Sequence, residues 1–190
     1  MSIDIAGNAL TTVVELKRWL NLTSADFARD DFLQEEINDW SDTIEKRLGR
    51  IIKSASYTDE RHDGGKLAIL LKNIPVTAIS SITIEDTAID STDYTFDIDS
   101  GKVRMITGIE FDGGPGDALL SYTGGYATVP GDLKRAVKQI VAIGYYLSGH
   151  GRHAIAKSSE STGEGNVEYN RGPKDQEAIM KIIERIYKRR

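Results

Sequence analysis

The sequence predicts an α+β fold, mainly a bundle of about four helices with a small antiparallel β insertion between the second and third main helices. Three observations carry this. Leu33, Ile37, Trp40, Ile44, Leu48 and Ile51 step by three or four residues in one unbroken stripe. The same period returns near residues 133–145 and again near 178–186. Between them, residues 57–126 change to short apolar runs separated by Gly- and Asp-rich turns, which is the pattern of strands.

Each element has its own signal. In TTVVELKRWL, Thr12 and Glu15 have capping-box spacing, and Val13, Leu16 and Leu20 share a face. The second helix begins within Ala25 to Asp31 and runs to about Arg50. Asp26, Asp30 and Asp31 lie near its positive end and Lys46, Arg47 and Arg50 near its negative end, as the helix dipole favours. After the turn at Gly64 and Gly65, the candidate strands are LAILLKN, interrupted by Pro75, then AISSITIED, DYTFDI, KVRMI and ALLSY. Pro130 opens a third helix with Leu133, Val137, Ile140, Val141, Gly144 and Tyr145 on one face. Gly149 and Gly151 stop it. Residues 148–174, rich in Gly, Ser and charge, read as a flexible arm. A last helix and basic tail fill 175–190, with Ala178, Ile179, Ile182, Ile183 and Ile186 on one face. The whole reads as one domain, 1–190, with 57–126 as the insertion.

Composition narrows the function. Without cysteine, disulfides, thiolate metal sites and a thiol nucleophile are excluded by inventory. The N-terminus carries an acidic residue where a secretory signal has Lys or Arg. No apolar run approaches the roughly 18 residues of a membrane span. A soluble, unprocessed protein made in a reducing cytoplasm is expected. With 24 basic against 29 acidic residues, a broad phosphate-gripping surface is not expected, although the last ten residues hold five cations against Glu184.

Candidate chemistry is sparse. His150 and His153 in SGHGRHA are two ligands where a zinc site needs three or four. His62, in DERHDGG, reads as a solvated turn residue. Asp97, Asp99 and Gly101 resemble the start of a calcium loop without its closing Glu, so turn formation accounts for them. Gly113, Gly114 and Gly116 match no phosphate-binding motif, and Gly163 to Asn166 reads as filler. Carboxylates abound, but on polar faces and in turns. Trp19, Trp40, Tyr145 and Tyr146 adjoin apolar stripes and read as packing rather than a base-stacking platform. No cofactor or metal is expected.

Read end to end, the chain resembles the head-tail connector family of long-tailed phages and prophages, also called head completion or adaptor proteins. The likeness lies in LTTVVELKRWLNL, in Asp30 and Asp31 before a long helix ending Leu48, Gly49, Arg50, in LLKNIPVTAISSITIED with Pro75, and in the Tyr122, Gly124, Gly125, Tyr126 motif followed by Pro130. It covers about Leu10 to Leu147. The resemblance implies a structural virion protein, not an enzyme: a homo-oligomeric ring, commonly of twelve subunits, at the head-tail interface. There it would join the portal protein to a stopper or tail-completion protein and continue the channel for duplex DNA, which passes as cargo, without membrane contact. On the same analogy Ile183, Tyr187, Arg189 and Arg190 are the portal contacts; for contacts with neighbouring subunits the Gly-rich arm and the exposed side of the long helix are expected. A net acidic subunit suits a channel that must not hold DNA. The alternatives are a tail-completion or stopper protein, a carboxylate-based hydrolase, or a regulatory DNA-binding module.

Overall fold

The computed structural model describes residues 6–23, 27–148 and 172–188. The chain divides into two compact units, Met1–Gly49 with Pro130–Arg190, and Arg50–Val129.

The first unit is helical. Helix α1 (Val13–Trp19) starts at Thr12, whose hydroxyl accepts from the Glu15 N–H at 3.2 Å, satisfying one of the open amides of the first turn. A 3-10 turn, Phe27–Arg29, leads into α2 (Asp30–Leu48), with Asp30 and Asp31 in its first turn and Lys46 and Arg47 in its last. Leu33, Ile37, Ile44 and Leu48 are buried as expected. The expected step at Trp40 is taken instead by Ser41, whose Oγ accepts the Leu10 N–H at 3.0 Å and is thereby satisfied in the core. Ile51 lies beyond the left-handed C-cap Gly49 (φ 68°) and is exposed, while Ile52 is buried.

Helix α3 (Gly131–Leu147) buries Leu133, Val137, Ile140, Val141 and Tyr145. Helix α4 (Gly172–Tyr187) begins three residues before Asp175, with Pro173 in its first turn, where a missing N–H costs nothing. Its buried residues are Met180 and Ile183. Ala178, Ile182 and Ile186, expected on the same face as Ile183, are exposed. Gln176 Nε2 donates to the Ile140 carbonyl at 3.1 Å and Tyr187 Oη to Asp132 at 2.6 Å, which fixes α4 along α3.

The second unit holds seven strands in two antiparallel sheets: β1 (Ala55–His62), β2 (Ile69–Leu70), β3 (Val76–Ile84), β4 (Thr87–Ala88), β5 (Tyr94–Phe96), β6 (Lys102–Met105) and β7 (Ala118–Gly124). One sheet has the order β1-β7-β3-β4 and the other β2-β6-β5. Ile69, Leu71, Val76, Ile82, Ile84, Val103, Phe111, Leu120 and Tyr122 form its core.

A mainly helical bundle with a small insertion is therefore incorrect. Among the described residues helix accounts for 39% and strand for 25%, a mixed α+β fold in which the sheets have a core of their own. The error has a physical source. Strand β1, ASYTDERH, is a sheet edge with one face open to water and a bulge between Tyr57 and Glu60, so it shows almost no apolar alternation. In LAILLKN only Ile69 and Leu70 pair. Leu71 onward turns through the cis Ile74–Pro75 peptide into β3.

Candidate functional site

Of the motif residues, Arg50, Pro75, Tyr122, Gly124, Gly125 and Tyr126, scattered in sequence, meet at one place in the sheet unit. Arg50, buried, donates Nη1 to the Ile74 carbonyl at 2.9 Å, and the Ile51 N–H donates to Asn73 Oδ1 at 3.0 Å. The Gly125 N–H donates to the Pro75 carbonyl at 2.9 Å, and the Tyr126 N–H to that of Ile52 at 2.8 Å. Three segments, 50–54, 71–76 and 122–126, are thus tied mainly through main-chain groups. The two glycines are required by this proximity. A Cβ on Gly124 would lie 2.2 Å from the Asn73 carbonyl oxygen, and one on Gly125 (φ 101°) 2.4 Å from that of Lys53. In the Leu-Gly-Arg motif, Leu48 fills the helical core, Gly49 ends α2, and Arg50 anchors the loop before Pro75.

A polar cluster adjoins this knot. The Tyr122 hydroxyl donates to Glu60 Oε2 at 2.8 Å and accepts the Asn73 N–H at 3.2 Å, while its ring stacks on Tyr57 with centroids 5.0 Å apart. His62 Nε2 and Glu60 Oε1 are 2.7 Å apart. Burial, helped by the Glu60 carboxylate, pushes the Tyr122 phenol up to about 12. Burial alone would raise the Glu60 carboxyl, but hydrogen bonds from His62, Tyr122 and the Lys72 N–H outweigh it and hold it below the ordinary value. His62 is therefore not the solvated turn residue expected: its side chain is 12% exposed and engaged. Sequence reasoning missed Glu60 and Asn73. The signal was the i, i+2 spacing of Glu60 and His62, which is informative only once β1 is known to be a strand.

In the helical unit the ion pairs Lys17–Asp30, Lys134–Glu15 and Arg47–Glu177 connect neighbouring elements, the last bidentate at 2.9 and 3.1 Å. Asp31 is exposed in the first turn of α2, and Pro130 stands at the start of α3. Of the expected portal contacts, Ile183 is 3% exposed and packed inside this unit, whereas Tyr187 is at its surface, bonded to Asp132. Arg189, Arg190, His150, His153 and most of the expected arm lie outside the described residues. Tyr145 is buried with Tyr146 edge-on at 5.6 Å, while Trp19 is partly exposed under Lys138. Asp97 caps its own turn by accepting the Ser100 N–H at 2.7 Å. Among the described residues, no three His, Asp or Glu side chains are close enough together to hold a metal ion, and no helix is long and apolar enough to cross a membrane.

The match to a family model places the chain in a class of structural proteins of phage-type virions. The chain belongs to the head completion protein family, whose model matches residues 9–189. Among solved structures it is similar to a chain from the neck of an empty gene transfer agent particle treated with C6 symmetry, at 19% identity and TM-score 0.57, covering 100% of this chain and 95% of that one. A chain of the native gene transfer agent virion matches at 19% identity and TM-score 0.55, with the same coverage. A neck chain treated with C12 symmetry matches at 16% and 0.50, covering 96% and 93%. At such identities these likenesses establish the fold alone. Comparison with curated proteins gives no match.

Proposed function

We propose that this chain is the subunit of a ring that docks beneath the phage portal, carries the DNA channel toward the tail, and receives a stopper or tail-completion protein on its far side. The family match across residues 9–189 carries this reading. The likeness to neck chains treated with sixfold and twelvefold symmetry supports the ring. A ring of identical subunits needs two different, complementary faces on each copy, so that head-to-tail contacts close. Twelve copies is the proposed number. Duplex DNA is passing cargo, and no reaction and no cofactor enter the proposal.

For the portal contact we favour the exposed side of α4, Ile182, Ile186 and Tyr187, continued by Arg189 and Arg190. Ile183 acts through packing, because it is covered. The test adds purified protein to DNA-filled, portal-bearing capsids lacking this component, followed by negative-stain electron microscopy of the vertex. A ring extending the portal with improved DNA retention is expected. No association well above micromolar concentration overturns the reading in favour of a tail-side protein. Ile182→Asp with Ile186→Asp is expected to abolish portal attachment while leaving the helical circular dichroism intact.

A further inference from the structure

The small sheet β2-β6-β5 has one face in the core and one in water. Ile69 and Val103, paired across β2 and β6, point inward, so the next pair, Leu70 and Lys102, points outward, as does Arg104 with its partner Thr95. Exposed Leu67 (59%) and Ile106 (62%) flank this outer face, beside a cleft of about 530 Å³. It is both apolar and cationic. The Lys102 and Arg104 side chains have no ion pair or hydrogen bond with described residues, although their unit holds seven basic against twelve acidic residues. Arg104 is near enough to help lower the Asp97 carboxyl, after that carboxyl's own hydrogen bonds with Ser100, but neither cation is held in an ion pair among the described residues.

Helix α2 carries the complementary pattern. Asp31, Glu35, Asp39 and Asp42 are all exposed and lie at spacings of four, four and three, one row along about 16 Å of helix. Like charges so placed repel, which costs an isolated helix stability. The repulsion is felt nearby, since after burial the Asp39 and Glu35 charges help raise the Glu36 carboxyl. The helix dipole accounts for Asp31, and Asp42 is paired with Lys46 one turn on, but neither accounts for Glu35 and Asp39, which lie past the first turn. Phe27, 73% exposed, precedes the row by one turn and adds an apolar group at its end.

We propose that the outer face of β2-β6-β5 is a docking surface for a second copy of this chain, which seats Phe27 against Leu67, Leu70 and Ile106 and the acidic row of α2 against Lys102 and Arg104. This rests on the ring reading above and names its two unlike faces. The contact is head to tail, and the charges give it register and encounter rate while the apolar groups hold it.

Two measurements test it. On portal-bearing capsids, Lys102→Glu with Arg104→Glu, and separately Glu35→Lys with Asp39→Lys, are expected to lower ring occupancy about tenfold, and the chain carrying all four changes to recover most of it. All four sites are exposed, so circular dichroism should not move. In solution, the cysteine-free chain given Arg104→Cys and Glu35→Cys is expected to yield a ladder of multimers with a bis-maleimide linker. Normal occupancy in the reversed variants, failure of the fourfold variant to recover, or crosslinks confined to single chains overturns the inference while leaving the ring intact. If the unaltered chain forms no ring on capsids, the ring reading fails. The ladder in concentrated solution then decides the docking surface, its presence supporting it and its absence overturning it.

Discussion

The helical unit and the sheet unit are each stabilised internally by a different kind of contact. In the helical unit, elements meet through apolar side chains and through ion pairs at partly exposed positions, such as Arg47 with Glu177 and Lys134 with Glu15. Pairs of that kind contribute little each and tolerate change. In the sheet unit, the hydrogen bonds that tie residues 50–54, 71–76 and 122–126 mostly have a main-chain group on at least one side, with the Arg50 guanidinium and the Asn73 amide as side-chain partners, and glycines allow the backbones to approach. Main-chain contacts have no substitute partner. Removing or crowding one leaves a buried group unsatisfied. The recognisable motif residues Arg50, Pro75, Gly124, Gly125 and Tyr126 fall in this junction for that reason.

The contrast is broken most forcefully at the glycines. Gly125→Val places a Cβ against the Lys53 carbonyl at a φ that disfavours branched side chains, and should cost at least ~4 kcal/mol, read as loss of the folded baseline in urea. A valine at Gly131, where a Cβ meets nothing, should cost less than about 1 kcal/mol. If Gly125→Val folds normally, the main-chain knot is not what holds the unit. Next in size come the two cores: Leu120→Ala and Ile37→Ala should each cost about 2–5 kcal/mol. Hydrogen exchange is expected to accelerate most in β1, β3 and β7 for the first and in α2 and α3 for the second. Arg50→Ala follows, at about 1.5–3 kcal/mol, because it leaves the Ile74 carbonyl without its charged donor.

The same contrast sets what the sequence reveals. Helical stripes are legible because burial repeats every three to four residues, and α2 and α3 follow it closely except where Ser41 replaces Trp40. Helix α4 misled: with isoleucine at 179, 182, 183 and 186, several stripes fit, and only packing against α3 selects Met180 and Ile183. Strands β3, β5, β6 and β7 were legible from apolar runs and turns. Strand β1 was not, since an edge with a bulge and four charged or imidazole side chains in eight residues has no period to read. The motif residues were visible as a pattern, but their purpose was not, because carbonyl contacts leave no mark in side-chain type.

The smallest effects are the most discriminating, because they compare two part-buried carboxyls shifted in opposite directions. Glu60 receives hydrogen bonds from His62, Tyr122 and the Lys72 N–H, and its carboxyl is lowered. Glu36 is raised by burial and by Asp39 and Glu35, although the Trp40 indole N–H donates to it at 3.2 Å. A lowered carboxyl stabilises the fold above its unfolded value near 4.5, and that contribution is lost as pH falls through the folded value. A raised one has the reverse sign: it favours the fold below about 4.5, and that advantage is lost as pH rises through the folded value. Glu60→Gln should therefore destabilise by about 1–2 kcal/mol at pH 7, with the deficit shrinking toward pH 3. Glu36→Gln should raise stability slightly at pH 7 and leave it unchanged at pH 3. Urea midpoints at the two pH values measure both. If both variants shift the same way at pH 7, the difference between a carboxylate supplied with donors and one crowded by like charge is not what separates these two sites.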